Sequence, residues 1–208
     1  MIEKAAVFKE NIQFYLDRLQ HVDWQRHAAV LGAQTTENGL SLTFFDQPYF
    51  ISPHGISDAA GRPASYSVCI VLFKYILMAP SALPEMSGWA AYRDFPDAGP
   101  LLSYFAKNAD GALVRSFSGH LDRFAAACRK LGAVQSSEIS SYDLAMRFSA
   151  LPRVPILALF NDADTEFAAH CSVLFDRSVA EFLDMESVAV LGTWLARQLH
   201  EWRQCGYG

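Results

Sequence analysis

The residues best suited to chemistry lie in Trp89-Ala-Ala-Tyr92-Arg93-Asp94-Phe95-Pro96. An arginine flanked by aromatic rings can stack on them and offer a planar guanidinium fork to a carboxylate or phosphate. Trp89, Tyr92 and Arg93 are therefore candidate ligand-binding residues. The competing reading is structural, with Arg93 paired to an internal carboxylate that pins the segment to a sheet. Read as a strand, the segment turns Arg93 away from both Tyr92 and Asp94, so that carboxylate has to come from another element. On the structural reading, Arg93→Ala costs roughly 3–5 kcal/mol, the usual penalty for orphaning a buried charge.

Other combinations are less suited to chemistry. The histidines (His21, His27, His54, His120, His170, His200) form neither His-x-x-x-His nor His-Glu-x-x-His. His170-Cys171 holds two metal-capable side chains, but strand neighbours face opposite ways and cannot share one ion. Asp162-Ala-Asp164-Thr-Glu166 resembles the start of a calcium loop. It has Phe167 where the sharp turn needs glycine and Val173 where the loop closes on glutamate, so a solvated turn is the simpler reading. No zinc or calcium site is expected. There is no Gly-x-Ser-x-Gly elbow and no glycine-rich phosphate loop. Ser118-Gly119-His120 reads as a helix start, and Cys128 as an inert thiol on an apolar helix face.

A chain of 208 residues can bury a substantial core around such sites. Area scaling gives roughly 9,700 Å² of folded surface against about 33,000 Å² extended. Hydrophobic residues make up 51 % and charged residues 19 %, which excludes a disordered chain. A net charge of −5, spread evenly, argues against a nucleic-acid partner. The N-terminal residues show no signal-peptide pattern. The most apolar stretch, residues 68–80, is too short for a membrane span and contains Lys74. Cys69, Cys128, Cys171 and Cys205 are widely spaced, as reduced buried thiols are. The expectation is a cytoplasmic, soluble protein of one domain over 1–208, with 1–32 as a candidate N-terminal helical segment.

Hydrophobic periodicity predicts the elements. Phe8, Ile12, Tyr15 and Leu19 mark a helix over 3–20, and Asp23 caps a second over 24–31, closed by Gly32. Alternation over 40–45 and 49–51 predicts a hairpin turning at Asp46-Gln47, followed by a loop over 53–64. Residues 65–79 are apolar on every side, the mark of a buried central helix. Strand or extended chain follows over 89–95, then a short helix over 100–108 and a longer one from Ser118 to Leu131. Strands are expected over 143–148, 156–160 and 173–175. Ser178-x-x-Glu181 reads as a capping box and Asp184 as the cap of a last helix. Strands and helices do not alternate regularly, so the predicted class is α+β, with an antiparallel or mixed sheet packed against several helices.

These segments resemble a known set of blocks. Trp89 to Pro96 is similar to W-x-S-F-R-E-L-P. Leu151-Pro152-Arg153-Val154-Pro155-Ile156, Asp164-Thr-Glu166-Phe167 and Leu174-Phe175-Asp176-Arg177-Ser178 resemble L-P-x-V-P-L, D-E-E-F-P and L-F-D-x-S. Leu72 to Leu77 is similar to an L-x-H-Y-L helix. The chain thus resembles the bacterial and archaeal family called domain of unknown function 3786, over most of residues 35–200. The resemblance implies an uncharacterised domain typical of anaerobes, some of whose relatives carry an iron–sulfur domain like those of corrinoid-dependent machinery. This chain has no four-cysteine run and would be a stand-alone version. Lys74 stands where relatives often have histidine, and Ala168-Ala169 where they often have proline.

Three functions compete. The first is a domain that binds a small ligand or cofactor in anaerobic metal-cofactor metabolism, with Arg93 and Arg153 meeting an anionic group. The second is a non-catalytic interaction module that docks a protein partner. The third is an enzyme whose site is assembled from scattered residues. Neither a nucleic-acid nor a membrane partner is expected, and the residues name no cofactor.

Overall fold

The computed structural model describes the backbone from Ile2 to Gln204 and the side chains of residues 7–202. Cys205 lies outside the described residues. The elements run α1 (Ile2–Leu19), α2 (Trp24–Leu31), β1 (Gln34–Thr36), β2 (Gly39–Phe44), β3 (Gln47–Ser52), β4 (Gly55–Asp58), α3 (Tyr66–Leu77) and β5 (Trp89–Ala91). An irregular helical run from Tyr92 follows, containing α4 (Leu102–Phe105), a π-turn (Ala106–Asp110) and α5 (Gly111–Phe117). The chain continues with α6 (Leu121–Lys130), β6 (Val134–Gln135), β7 (Leu144–Leu151), β8 (Val154–Asn161), β9 (His170–Asp176) and α7 (Met185–Gln204). The fold is α+β. Among the described residues the strands form two antiparallel sheets, ordered β1-β2-β3-β4 and β5-β9-β8-β7-β6. No helix among them is long and apolar enough to cross a membrane.

The sheets are joined through the tip of the β2–β3 hairpin, where the Phe45 N–H donates to the Ala150 carbonyl on β7. The turn residues are Phe45 and Asp46, both with positive φ (46° and 63°), one position earlier than predicted. A two-residue hairpin turn needs left-handed backbone, which phenylalanine seldom adopts. Burial offsets that strain: the Phe45 ring stacks on Trp194 at 4.4 Å between centroids and meets Phe148 edge-on. The segment predicted as loop over 53–64 contains β4, which pairs with β3 through Ile51 and Ile56.

Helix α3 is the central helix, with Leu72, Phe73, Tyr75 and Ile76 fully buried. It belongs to one continuous apolar cluster that also takes side chains from both sheets, α6 and α7. The outer face of the larger sheet is apolar as well, where Ala145, Leu157 and Leu159 are covered by Trp89, Ile139, Tyr142 and Leu174. Burial on both faces explains why β8 reads as an unbroken hydrophobic run. Lys74, the one charge in α3, bonds to Asp184 and lies 3.6 Å from Glu186, tying α3 to the start of α7. Burial disfavours the Lys74 ammonium, but the Asp184 bond outweighs it and holds the pKa above the ordinary lysine value.

Two predicted helix caps shift by two residues. Ser118 does not start α6: His120 takes the cap position, and the Gly119 N–H donates to Asp162 at 2.6 Å. The cap after β9 is Asp176, not Ser178. The predicted caps Asp23 and Asp184 both accept backbone N–H bonds at their helix starts. Asp164 accepts the N–H groups of Glu166 and Phe167, closing the acidic turn on itself. His170 is exposed and Cys171 buried, as strand alternation requires.

Candidate functional site

The four predicted ligand-binding residues do not meet in one place. The strand that starts at Trp89 ends at Ala91, because the Asp94 carboxylate accepts the Ala91 N–H and winds residues 92–94 into a 3₁₀ turn. Tyr92 is thereby carried inward. Its hydroxyl donates to the Met185 carbonyl at 2.9 Å and its ring stacks on Phe105 at 4.4 Å. Arg93 is carried outward, with its side chain 79 % exposed and its Nε 3.9 Å from Asp94. The expected strand conformation for Arg93 is thus corrected, and so is the expected stability cost. Arg93→Ala should cost about 1 kcal/mol or less, as exposed pairs do. A urea titration showing a loss of 3 kcal/mol would restore the structural reading.

Arg153 sits at a built position. Helix α2 is closed by Gly32 in the left-handed region (φ 67°), which leaves carbonyls of its last turn without helical partners. Arg153 Nε donates to the Val30 carbonyl at 3.2 Å, and Nη2 approaches the Ala29 carbonyl at 3.5 Å. The buried Tyr75 hydroxyl donates to the Leu31 carbonyl and accepts the Arg153 N–H, linking α2, α3 and the β7–β8 turn. Gly32 is required twice over: a Cβ there would lie 3.1 Å from Arg153 Nε and from Pro152. Among the described residues no carboxylate pairs with the Arg153 guanidinium. Among the described residues its positive charge is met by the carbonyl end of a short helix.

Arg153 lines a cavity of about 400 Å³, together with Leu83, Met86, Phe148, Phe182 and Arg147. Asp176 shapes the near wall. Its carboxylate is buried and accepts the N–H groups of Ser87, Gly88 and Ser178, which folds the 79–88 loop back over the end of β9. Burial alone would raise the Asp176 pKa. Those donors outweigh it and hold the carboxyl below its usual range. Ser178, Pro152 and Pro155 also line it, so the blocks at 151–156 and 174–178 meet in this one cavity.

Trp89 stands beside the cavity rather than in it. Its indole N–H donates to Glu138 at 2.7 Å, and Glu138 also holds Arg147 at 3.3 Å. The Arg147 guanidinium lies 5.9 Å from the centre of the Trp89 ring. Arg147, at the cavity wall, was missed by sequence reasoning. Alternation along β7 places it on the outer face with Ala145, but no local pattern pairs it with Glu138.

The lining combines an apolar body with one fixed cation that lacks an internal counter-ion. This suits a small amphipathic anion, whose acid group meets Arg153 while its hydrocarbon displaces water from Leu83, Met86 and Phe182. The described residues contain no group of three or more His, Cys, Asp or Glu side chains placed to hold a metal ion. Cys69, Cys128 and Cys171 are free and buried, and burial pushes the Cys69 thiol up to about 11, where it is unreactive.

Residues 23–198 match the family model described as "Domain of unknown function (DUF3786)". No curated protein and no solved structure matches the chain.

Proposed function

The chain belongs to that family, whose description carries no activity, and we propose that it binds a small amphipathic anion in the Arg153 cavity. One observation carries the reading: Arg153, its guanidinium held by helix carbonyls and without a carboxylate partner among the described residues, lines a largely apolar cavity of about 400 Å³. A buried or half-buried cation without a counter-charge gains most from an anion that arrives with its own apolar covering. A service in anaerobic metal-cofactor metabolism remains part of this proposal. A whole corrinoid exceeds the cavity, so the ligand would be a small acid or the acidic arm of a larger cofactor.

The test is thermal unfolding with octanoate, and with octanol as the neutral control. Octanoate at 100 times its Kd should stabilise the folded chain by about 2.7 kcal/mol. Octanol should do much less. Arg153→Gln should weaken octanoate binding tenfold or more, and Arg153→Lys should recover part of it, since lysine keeps the charge and loses the fork. Equal stabilisation by octanoate and octanol, or unchanged binding in Arg153→Gln, would sink the reading.

The interaction-module reading is favoured by a different surface. A groove of about 610 Å³ runs between α1, the smaller sheet and α3, lined by Ile12, Leu16, Ile56 and Cys69. Phe8, Phe14 and Phe50 are all more than two-fifths exposed on these elements. Apolar exposure of this kind marks contact surfaces. Sedimentation of the wild type against Phe50→Ser separates the readings: a mass that falls in the variant favours docking through this face, and a monomer in both disfavours self-association there.

A further inference from the structure

We infer that the cleft between α5 and α7 is a second ligand site, for a phosphate monoester of mononucleotide size. It shares no lining residue with the Arg153 cavity and does not depend on that reading. The cleft holds about 600 Å³ and is lined by Arg115, Arg197, His200, Ser116, Thr193 and Trp194, among others. None of the described residues lining it is an aspartate or glutamate. In a chain of net charge −5, a cleft with two arginines and no carboxylate in its wall is a local reversal of sign.

Arg115 is placed by the helix irregularity beside it. The π-turn at Ala106–Asp110 widens the backbone, and Arg115 Nη2 donates to the Lys107 carbonyl within it at 2.8 Å. Short π-turns recur at functional sites, because they re-aim side chains that a regular helix would place elsewhere. Gly111 keeps this arrangement open: a Cβ there would lie 2.9 Å from the Ala106 carbonyl oxygen and 3.0 Å from Arg115 Nη1. Arg197 is only loosely held, with its Nε 3.7 Å from Glu201 and both side chains more than half exposed. A pair that weak is readily given up for a doubly charged oxyanion.

The remaining groups define the rest of the ligand. The buried Ser116 hydroxyl lies 2.9 Å from His200 Nδ1, so serine and imidazole fix each other at the wall. Trp194 is immobilised from behind by stacking on Phe45 and edge contact with Phe44. A rigid indole in the same cleft as two guanidinium groups suits an aromatic base joined to a phosphate. The volume accommodates one nucleotide.

The experiment is calorimetric titration of the wild-type chain with AMP and with inorganic phosphate, repeated in Arg115→Gln, Arg197→Gln and Arg153→Gln. AMP should bind at least tenfold more tightly than phosphate. Arg115→Gln and Arg197→Gln should each weaken AMP tenfold or more, and Arg153→Gln should leave it unchanged. Arg197 is exposed, so its variant should fold, and a wild-type melting curve without ligand verifies this. Octanoate binding should persist in Arg115→Gln and Arg197→Gln, which separates failure here from failure at the other cavity. Three results would overturn the assignment: no AMP binding at millimolar concentration, AMP binding no tighter than phosphate, or equal AMP affinity in Arg197→Gln and wild type.

Discussion

Gly192→Ala should destabilise the protein by roughly 3 kcal/mol, the upper part of the range for overpacking a filled core. A Cβ at position 192 would collide with Phe105 Cε2 and lie 2.8 Å from its Cζ, with the Ala109 methyl at 3.5 Å behind. The Phe105 ring cannot swing away. It is buried, stacked on Tyr92 at 4.4 Å and set edge-on to Phe175 at 6.0 Å. Tyr92 in turn is anchored through its hydroxyl to the Met185 carbonyl, in the first turn of α7. Displacing Phe105 therefore strains the junction of α4, the turn at Tyr92–Asp94, β9 and α7 at once. Chemical denaturation of Gly192→Ala, Phe105→Leu and the double variant provides the check. The double variant should be more stable than the sum of the single losses, because the smaller side chain makes room for the methyl. Strict additivity would show that the contact does not limit packing there.

Asp110→Asn should stabilise the protein by up to about 3 kcal/mol above pH 7 and by almost nothing near pH 4. Asp110 ends the π-turn and accepts the Val173 N–H at 2.9 Å, where β9 has run past the end of β5. Burial pushes its carboxyl up to about 6, against the pull of that N–H and of Arg93. The folded chain thus holds a proton that the unfolded chain releases between about pH 4 and 6. An acid raised in this way favours folding at low pH, and the advantage is lost as pH rises through the folded value. Above it, folding must bury a charge that asparagine does not carry, while the amide oxygen still accepts from Val173. Asp176 and Asp184 have lowered pKa values and give the opposite slope, but they are common to both proteins and cancel in the difference. Unfolding free energies at pH 4.5 and 7.5 measure it. Parallel pH profiles for the two proteins would mean that Asp110 is not held in this state. Arg93→Ala, which removes a cation that pulls the Asp110 pKa down, should shift the step toward higher pH.

Several elements are determined by local chemistry, and for these the sequence sufficed. Asp23 and Gly32 bracket α2 because a side-chain acceptor and a left-handed glycine act within a few residues of the helix ends. The apolar run at 65–79 reads as a buried element, and its length favours one central helix over two short buried strands, as the structure bears out at 66–77. The α+β class follows from the order of the segments and the family from the resemblance of their motif blocks, while the choice between an antiparallel and a mixed sheet came from the structure. Tertiary contacts decided the rest. Phe45 occupies a turn that its own backbone preference opposes, because Trp194 and Phe148 bury its ring. Tyr92 and Arg93 part company because Asp94, three residues beyond Ala91, ends the strand there. Arg153 was a sequence candidate, but its setting depends on α2, more than a hundred residues earlier, and on Tyr75 between them. Arg115 and Arg197 have no spacing signal at all, since they come from helices that only the fold brings together. Caps, turns and periodicity act over a few residues and are written locally, whereas a cavity is the space left between elements that meet only after the chain has packed.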